Sequence, residues 1–182
     1  MPNYRRADLK GGTYFFTVVT EKRQPILIEP DAREALRHAI EKTREKHPFI
    51  IDAWVLLPNH LHTVWTLPEN DADFSSRWSL IKQITTHECG QKYRNEALLT
   101  KRRTAKRQGT MWQNRFYEHT IKDDVDYQAH MDYLHFNPVK HGLVNAVKDW
   151  QWSSFHRLVK HGVYENNWGG DSVTFDLPND VE

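Results

Sequence analysis

The run Ala53-Trp54-Val55-Leu56-Leu57-Pro58-Asn59-His60-Leu61-His62 reads as the end of one strand, a turn at Pro58-Asn59, and the opening of the next strand. Alternate residues of a strand share a face, so the imidazoles of His60 and His62 point together while Leu61 points the other way, into a core. Imidazole is the commonest protein metal ligand, and such a pair can hold one ion. The plainer reading is two surface histidines, or one buried imidazole bonded to a backbone carbonyl. With 11 histidines in the chain, a histidine-hydrophobe-histidine triplet is weak evidence alone. Two features favour the ligand reading. The triplet falls on a central strand, where exposed polar residues at alternate positions need a reason. A second element also supplies a tyrosine and an amide one turn apart, Tyr133 and Asn137.

The flanking sequence gives these strands a setting. Gly12 to Thr20 is rich in aromatic and β-branched residues and reads as a strand. Asp31 to His47 reads as a helix with Ala35, Leu36, Ala39 and Ile40 as its apolar stripe. Phe49 to Leu57 and His60 to Leu67 are the next two strands. Phe74 to Tyr93 is a helix with Phe74, Trp78, Ile81 and Ile84 inward and Asp73 as N-cap. Asn95 to Gly109 has no apolar period and reads as a mobile basic loop. Trp112 to Ile121 contains a fourth strand. Asp123 to Phe136 is a third helix, ended near Asn137 because a residue before proline disfavours the helical conformation. This order predicts an α+β fold: a ferredoxin-like split βαβ arrangement with a central antiparallel sheet and helices on one face, plus a C-terminal helix carrying Tyr133. Trp54 and Trp65 are expected in the core.

The 182 residues suit one domain with a real core. We expect it over residues 1–162, with a basic loop at 95–110 and an acidic tail at 163–182. The net charge of +1 hides an uneven distribution. Lys92, Arg94, Lys101, Arg102, Arg103, Lys106, Arg107 and Arg115 face only Glu96 in the middle of the chain. From Val163 onward come Glu165, Asp171, Asp176, Asp180 and Glu182 with no cation. A basic middle suits a polyanion, and the acidic end is either a solvated tail or a shield for that site. Cys89 is the single cysteine, which excludes an intrachain disulfide and a cysteine-rich zinc site. No apolar stretch approaches membrane-spanning length and Met1 to Gly11 has no signal-peptide core, so no membrane association and a cytoplasmic location are expected.

On the third helix, Tyr127, Met131 and Leu134 follow i, i+4, i+7 spacing and form a core stripe. His130, Tyr133 and Asn137 form a second stripe, offset by roughly a quarter of the circumference. Tyr127 has a packing role, whereas Tyr133 has a carboxamide one turn on, so Tyr133 is the candidate nucleophile. Its plainer reading is an amphipathic residue at the core boundary, with Asn137 as a helix C-cap. A divalent ion held by His60, His62 and the Asn137 oxygen would polarise phosphorus as a Lewis acid. Tyr133, ordinarily protonated at neutral pH, would attack as phenolate and exchange one phosphate ester for another with no external energy source.

These residues lie within longer motifs: Tyr4-Arg5-Arg6, Lys10-Gly11-Gly12-Thr13, Trp54 to His62, and Asp73-Phe74-Ser75-Ser76-Arg77-Trp78. Further on come Trp112-Gln113-Asn114-Arg115-Phe116, Asp132 to Gly142, and Trp150-Gln151-Trp152-Ser153-Ser154. Over nearly everything from Tyr4 to Trp168, the chain resembles the REP-associated tyrosine transposases, a bacterial branch of the HUH single-strand nuclease and transposase superfamily. The resemblance implies His60 and His62 as paired metal ligands, Tyr133 as nucleophile, Asn137 as the residue completing the metal site, and Mg²⁺ or Mn²⁺ as the ion. It also implies single-stranded DNA hairpins of REP type as partner, cut beside the hairpin foot to give a 5′-phosphotyrosine and a 3′-hydroxyl, and a nucleoid-associated protein acting as a monomer, with the dimer of related single-tyrosine transposases as the alternative. The stretch Lys101 to Arg107 is longer than the family's usual connection, so no role is carried over for it.

Candidate DNA contacts are Tyr4, Arg5, Arg6 and Lys10 near the amino end, and Arg77, Arg115, Lys140 and His141 farther on. Cationic grooves with stacking rings are the common single-strand binders, although any one of these cations is as readily a solvated surface residue. Two other functions compete. One is a non-cutting binder of repeat hairpins, which retention of Tyr133, both histidines and Asn137 argues against. The other is a small metallohydrolase for which Tyr133 is dispensable.

Overall fold

The computed structural model describes residues 9–106 and 108–169. Its elements are β1 (Thr13–Val19), α1 (Pro30–Lys46), β2 (Ile50–Leu56), β3 (His60–Thr66), α2 (Phe74–Cys89), α3 (Lys101–Ala105), β4 (Tyr117–Thr120), α4 (Asp124–Lys140) and α5 (Phe155–Lys160). The strands form one sheet in the order β2-β3-β1-β4, every neighbouring pair antiparallel. This is the split βαβ topology, with β3 and β1 in the interior.

Strand alternation feeds two cores. Phe16, Val18, Leu61 and Trp65 pack with Ala35, Leu36 and Ala39 of α1 and with Phe74, Trp78 and Ile81 of α2. Phe15, Val55 and Val64 pack on the opposite face with Met131, Tyr133 and Leu134 of α4. The expectation of helices on one face therefore holds for α1 and α2, while α4 covers the other. Trp65 is buried and Trp54 only partly so. Asp73 caps α2 as expected, its Oδ1 accepting the Ser76 N–H at 2.9 Å. Gly11 follows Lys10 in the left-handed region (φ 67°), and its N–H donates to the Asp71 carbonyl. A Cβ there would also lie 3.0 Å from the Glu69 backbone, which accounts for glycine at this position.

Two expectations are corrected. The basic stretch is not without structure: a 3-10 turn spans Glu96–Leu98, and Thr100 caps the short α3. Arg103 turns inward from α3, donating to the Gly109 carbonyl at 2.6 Å and pairing with Glu21. Arg107 lies outside the described residues. A five-residue helix is too short to show an apolar period, so the sequence pattern misses it. The second correction concerns α4, which runs through Pro138 to Lys140 rather than stopping before the proline. Proline removes one N–H from the helix ladder, but burial of His135, Asn137 and Pro138 holds the turn in place.

The chain after α4 folds back over it. Tyr164 donates to Asp132 Oδ1 at 2.7 Å and packs with Phe155 and Val147, while the Trp168 ring meets that of Tyr164 at a tilt of 51°. The ordered packing thus runs past residue 162; the tail beyond Gly169 lies outside the described residues. Among the described residues no helix is long and apolar enough to cross a membrane.

Arg77, expected on a DNA-facing surface, is 1% exposed. Its guanidinium is bidentate on Asp71 at 2.7 and 3.1 Å and donates to the Asp73, His47 and Pro48 carbonyls. A cation so fully engaged has no donors left for phosphate. Arg77→Ala should therefore lower the unfolding free energy by about 3 kcal/mol, the low end for a broken buried pair because Asp71 stays partly solvated. Urea unfolding checks this; a change confined to DNA affinity would refute the structural role.

His135 provides a pH-dependent companion to that prediction. Its Nδ1–H donates to the Met131 carbonyl at 2.8 Å, so Nε2 accepts from Ser154 Oγ at 2.9 Å. Burial pushes its pKa down to about 4, so the unfolded chain takes up the proton first on acidification. His135 should contribute a fall in stability of about 3 kcal/mol between about pH 6.5 and 4, and nothing further below that. Unfolding curves for the wild type and His135→Gln, measured across that range, should show a shallower slope in the variant. Equal slopes would remove His135 as the cause.

Candidate active site

Antiparallel register places Thr17 opposite His62 and Val19 opposite His60. Cross-strand partners point to the same face, so Thr17 and His62 meet, with Thr17 Oγ1 2.8 Å from His62 Nδ1. One residue before the strand, Asn59 Oδ1 accepts from His60 Nδ1 at 2.6 Å. Both imidazoles thus have Nδ1 engaged, an arrangement that orients Nε2 as the ligand atom. Their rings lie 4.8 Å apart between centroids.

The histidines leave the face that carries Leu61, as expected, but they are not exposed there. His60 is 2% and His62 0% exposed, because α4 covers this face. Burial, then repulsion from His60, His141 and Lys140, holds His62 far below the usual imidazole range; only a contact with Asn137 opposes the shift. His62 is therefore a neutral imidazole at physiological pH, the protonation state a metal ligand requires.

Helix α4 brings Tyr133 and Asn137 to the same place. The Tyr133 ring is 5.3 Å from the His62 ring and meets Phe15 edge-on at 5.9 Å. Tyr127 is only partly buried and packs in the apolar cluster. Asn137 is completely buried, and neither its Oδ1 nor its Nδ2 makes a hydrogen bond of good geometry; His62 Nε2 is likewise unsatisfied. Buried polar atoms without partners cost about 1–3 kcal/mol each, and native proteins keep few of them. An imidazole nitrogen and an amide oxygen left this way suit a divalent cation, and two imidazoles with one oxygen suit Mn²⁺ better than Mg²⁺.

Because α4 continues through Pro138, two of the expected DNA contacts fall beside these groups. The Lys140 ammonium lies 5.0 Å from the centre of the Tyr133 ring, and the His141 ring is 5.2 Å from that of His60. Arg115 is exposed in the segment leading to β4, and Lys10 is exposed at the turn before β1. Tyr4, Arg5 and Arg6 lie outside the described residues. Thr17, Asn59 and Phe15 were not singled out in the sequence reading. The strand pattern could have found Thr17 only with the β1–β3 register known. Also missed was a cleft of about 800 Å³ on the α2 side, where Lys82, Lys106, Trp112 and Phe116 gather.

Residues 9–137 match the family model described as "Transposase IS200 like". The chain is 47% identical over 175 residues to the REP-associated tyrosine transposase of Escherichia coli K12, covering 96% of this chain and 95% of that protein. It also superimposes on the structure of a REP-associated tyrosine transposase bound to a REP hairpin, with TM-score 0.80 and 45% identity over 99% and 98% of the two chains. The chain therefore belongs to the REP-associated tyrosine transposases of the IS200-like family, and it is a transposase.

Proposed function

We propose that this transposase nicks single-stranded DNA beside REP-type hairpins, with Tyr133 as nucleophile. One observation carries the reading: Tyr133 lies against His62, where the imidazole nitrogen and the Asn137 carboxamide are buried together with no hydrogen bond of good geometry. His60, His62 and Asn137 would hold a divalent ion, Mn²⁺ or Mg²⁺, which when bound supplies Lewis-acid polarisation of a phosphate. Thr17 and Asn59 fix the two ring orientations. The Tyr133 oxygen loses its proton and bonds to phosphorus, while the bond from phosphorus to O3′ breaks and O3′ gains a proton. The products are a 5′-phosphotyrosine and a 3′-hydroxyl, and the reverse step rejoins the strand. Lys140, beside the Tyr133 ring, favours phenolate and draws the phosphate in.

The hairpin is the proposed substrate because the relative of TM-score 0.80 was solved with one bound. The cleft with Lys82, Lys106, Trp112 and Phe116 has the cations and rings that single strands favour, and Lys10 and Arg115 add exposed charge. Tyr4, Arg5 and Arg6 remain proposed contacts of the amino end.

Tyr133→Phe should reduce cleavage by roughly 10³-fold or more and abolish the covalent adduct on a denaturing gel, with hairpin affinity nearly unchanged. Tyr127→Phe should keep activity. The opposite pattern would mean the wrong tyrosine; adduct-free cleavage that survives in Tyr133→Phe would favour the metallohydrolase, and no cleavage by the wild type a binding protein.

Since His62 is fully buried, truncation to alanine would also open a cavity, so His62→Gln is the cleaner test. The variant should fold and bind hairpin but lose both cleavage and the Mn²⁺ bound at this site, as read by calorimetry. Cleavage persisting in His60→Gln/His62→Gln with chelator present would overturn the role of the ion.

A further inference from the structure

The second face of α4 carries a cluster that the nicking chemistry does not use. His119 projects from β4, and Asp126 and His130 stand one turn apart on α4. His119 Nε2 is 2.8 Å from Asp126 Oδ2, and His130 Nδ1 is 3.0 Å from Asp126 Oδ1. The two imidazoles stack with centroids 4.4 Å apart and planes 16° from parallel. One donor atom from each residue falls within 4.8 Å of the other two. The sequence reading grouped His130 with Tyr133 and Asn137; the structure turns it instead toward β4.

We propose that His119, Asp126 and His130 form a second cation site, for a transition-metal ion of the Zn²⁺ class, that staples β4 to the helix carrying Tyr133. Two imidazoles and one carboxylate form a ligand set of the kind Zn²⁺ takes, with a fourth position left for water. Tetrahedral bonds of 2.0–2.2 Å set donors about 3.3–3.5 Å apart, so closing on an ion needs side-chain movements of about 1 Å. Water has access, because His119 and Asp126 are both partly exposed, while His130 is buried at the base.

The surroundings orient the ligands. The Lys122 N–H donates to Asp126 Oδ2 at 2.9 Å, a support from outside the cluster that fixes the carboxylate. Burial raises the Asp126 pKa, but the His119 and Lys122 hydrogen bonds outweigh it, and the group is held below the usual carboxylate range. Burial likewise holds His130 below the usual imidazole range, in spite of its bond to the Asp126 carbonyl. An ionised carboxylate and a neutral imidazole are the ligand forms. His130 Nδ1 currently donates to the Asp126 carbonyl at 2.8 Å, so loading exchanges that N–H for a bond to the ion, the proton moving to Nε2 of the same neutral ring.

Stapling here has a route to the nucleophile. The Phe15 ring touches His130 at 4.9 Å, Tyr133 at 5.9 Å and His62 at 5.4 Å. Fixing His130 against β4 therefore fixes one wall of the Tyr133 site, without contact to the reacting atoms.

The test uses the full chain in a His60→Gln/His62→Gln background, which removes the other ion site. After stripping with chelator, Zn²⁺ is titrated by calorimetry and counted by native mass spectrometry, and thermal unfolding is followed with and without the ion. One Zn²⁺ per chain and a raised melting temperature are expected, and both should be lost on adding His119→Ala. Asp126→Asn is the parallel variant should His119→Ala fail to fold, and Co²⁺ absorption of tetrahedral intensity gives a direct signature. No ion bound in the double-glutamine background, or an ion retained after both cluster variants, would overturn the site and leave a hydrogen-bonded network. Because the ion count is read without cleavage, failure of the nicking mechanism and failure of this site are separable.

Discussion

Packing of α4 across the β1–β3 face is the interaction on which the rest of the molecule depends. Met131 and Leu134 seat the helix on Phe15, Val55 and Val64, and the segment from Phe155 to Trp168 closes over its outer side. The histidine pair would otherwise be solvated on an open sheet. Under the helix it is dry, the His62 imidazole is neutral, and Tyr133 and Asn137 stand beside it. Dryness matters because charge interactions strengthen as water is excluded.

This arrangement has a thermodynamic cost, and magnitudes show how it is borne. His62 Nε2 and the two polar atoms of Asn137 lack hydrogen bonds, at about 1–3 kcal/mol each. Full burial of each large apolar side chain under the same helix returns about 1.5–3 kcal/mol, and Phe15, Val55, Val64, Met131 and Leu134 all contribute. The apolar cluster can therefore hold a deliberately unsatisfied polar pocket in place. An apolar residue at position 137 would remove that cost, so packing alone does not account for Asn137.

The fold was readable because its signals are local and periodic. The aromatic run from Thr13 to Val19, the stripe on α1 and the Asp73 cap each name their element without tertiary information. That Tyr133 and Asn137 share a face of α4 followed from helical spacing alone. What sequence could not convey was which faces get covered. His60 and His62 read as exposed because nothing local says that α4 crosses their face, and Arg77 read as a surface cation because its partners come from the loops at Asp71 and His47 to Pro48. The end of α4 was misplaced for the same reason: a local proline penalty was overridden by burial on two sides.

That override has a functional consequence. Had α4 stopped before Pro138, Asn137 would have been a loop residue, and Lys140 and His141 would have diverged from the site. The added turn keeps Asn137 helical, one turn beyond Tyr133, and continues to Lys140, whose ammonium lies over the Tyr133 ring. A cation over an aromatic face is attracted to it, and it also lowers the energy of negative charge developing on the phenol oxygen. Lys140 and His141 each help depress the His62 pKa and so help keep that imidazole deprotonated. Positive charge at the end of α4 therefore acts on the Tyr133 ring and on His62 together, and the helix runs through its proline to bring it there.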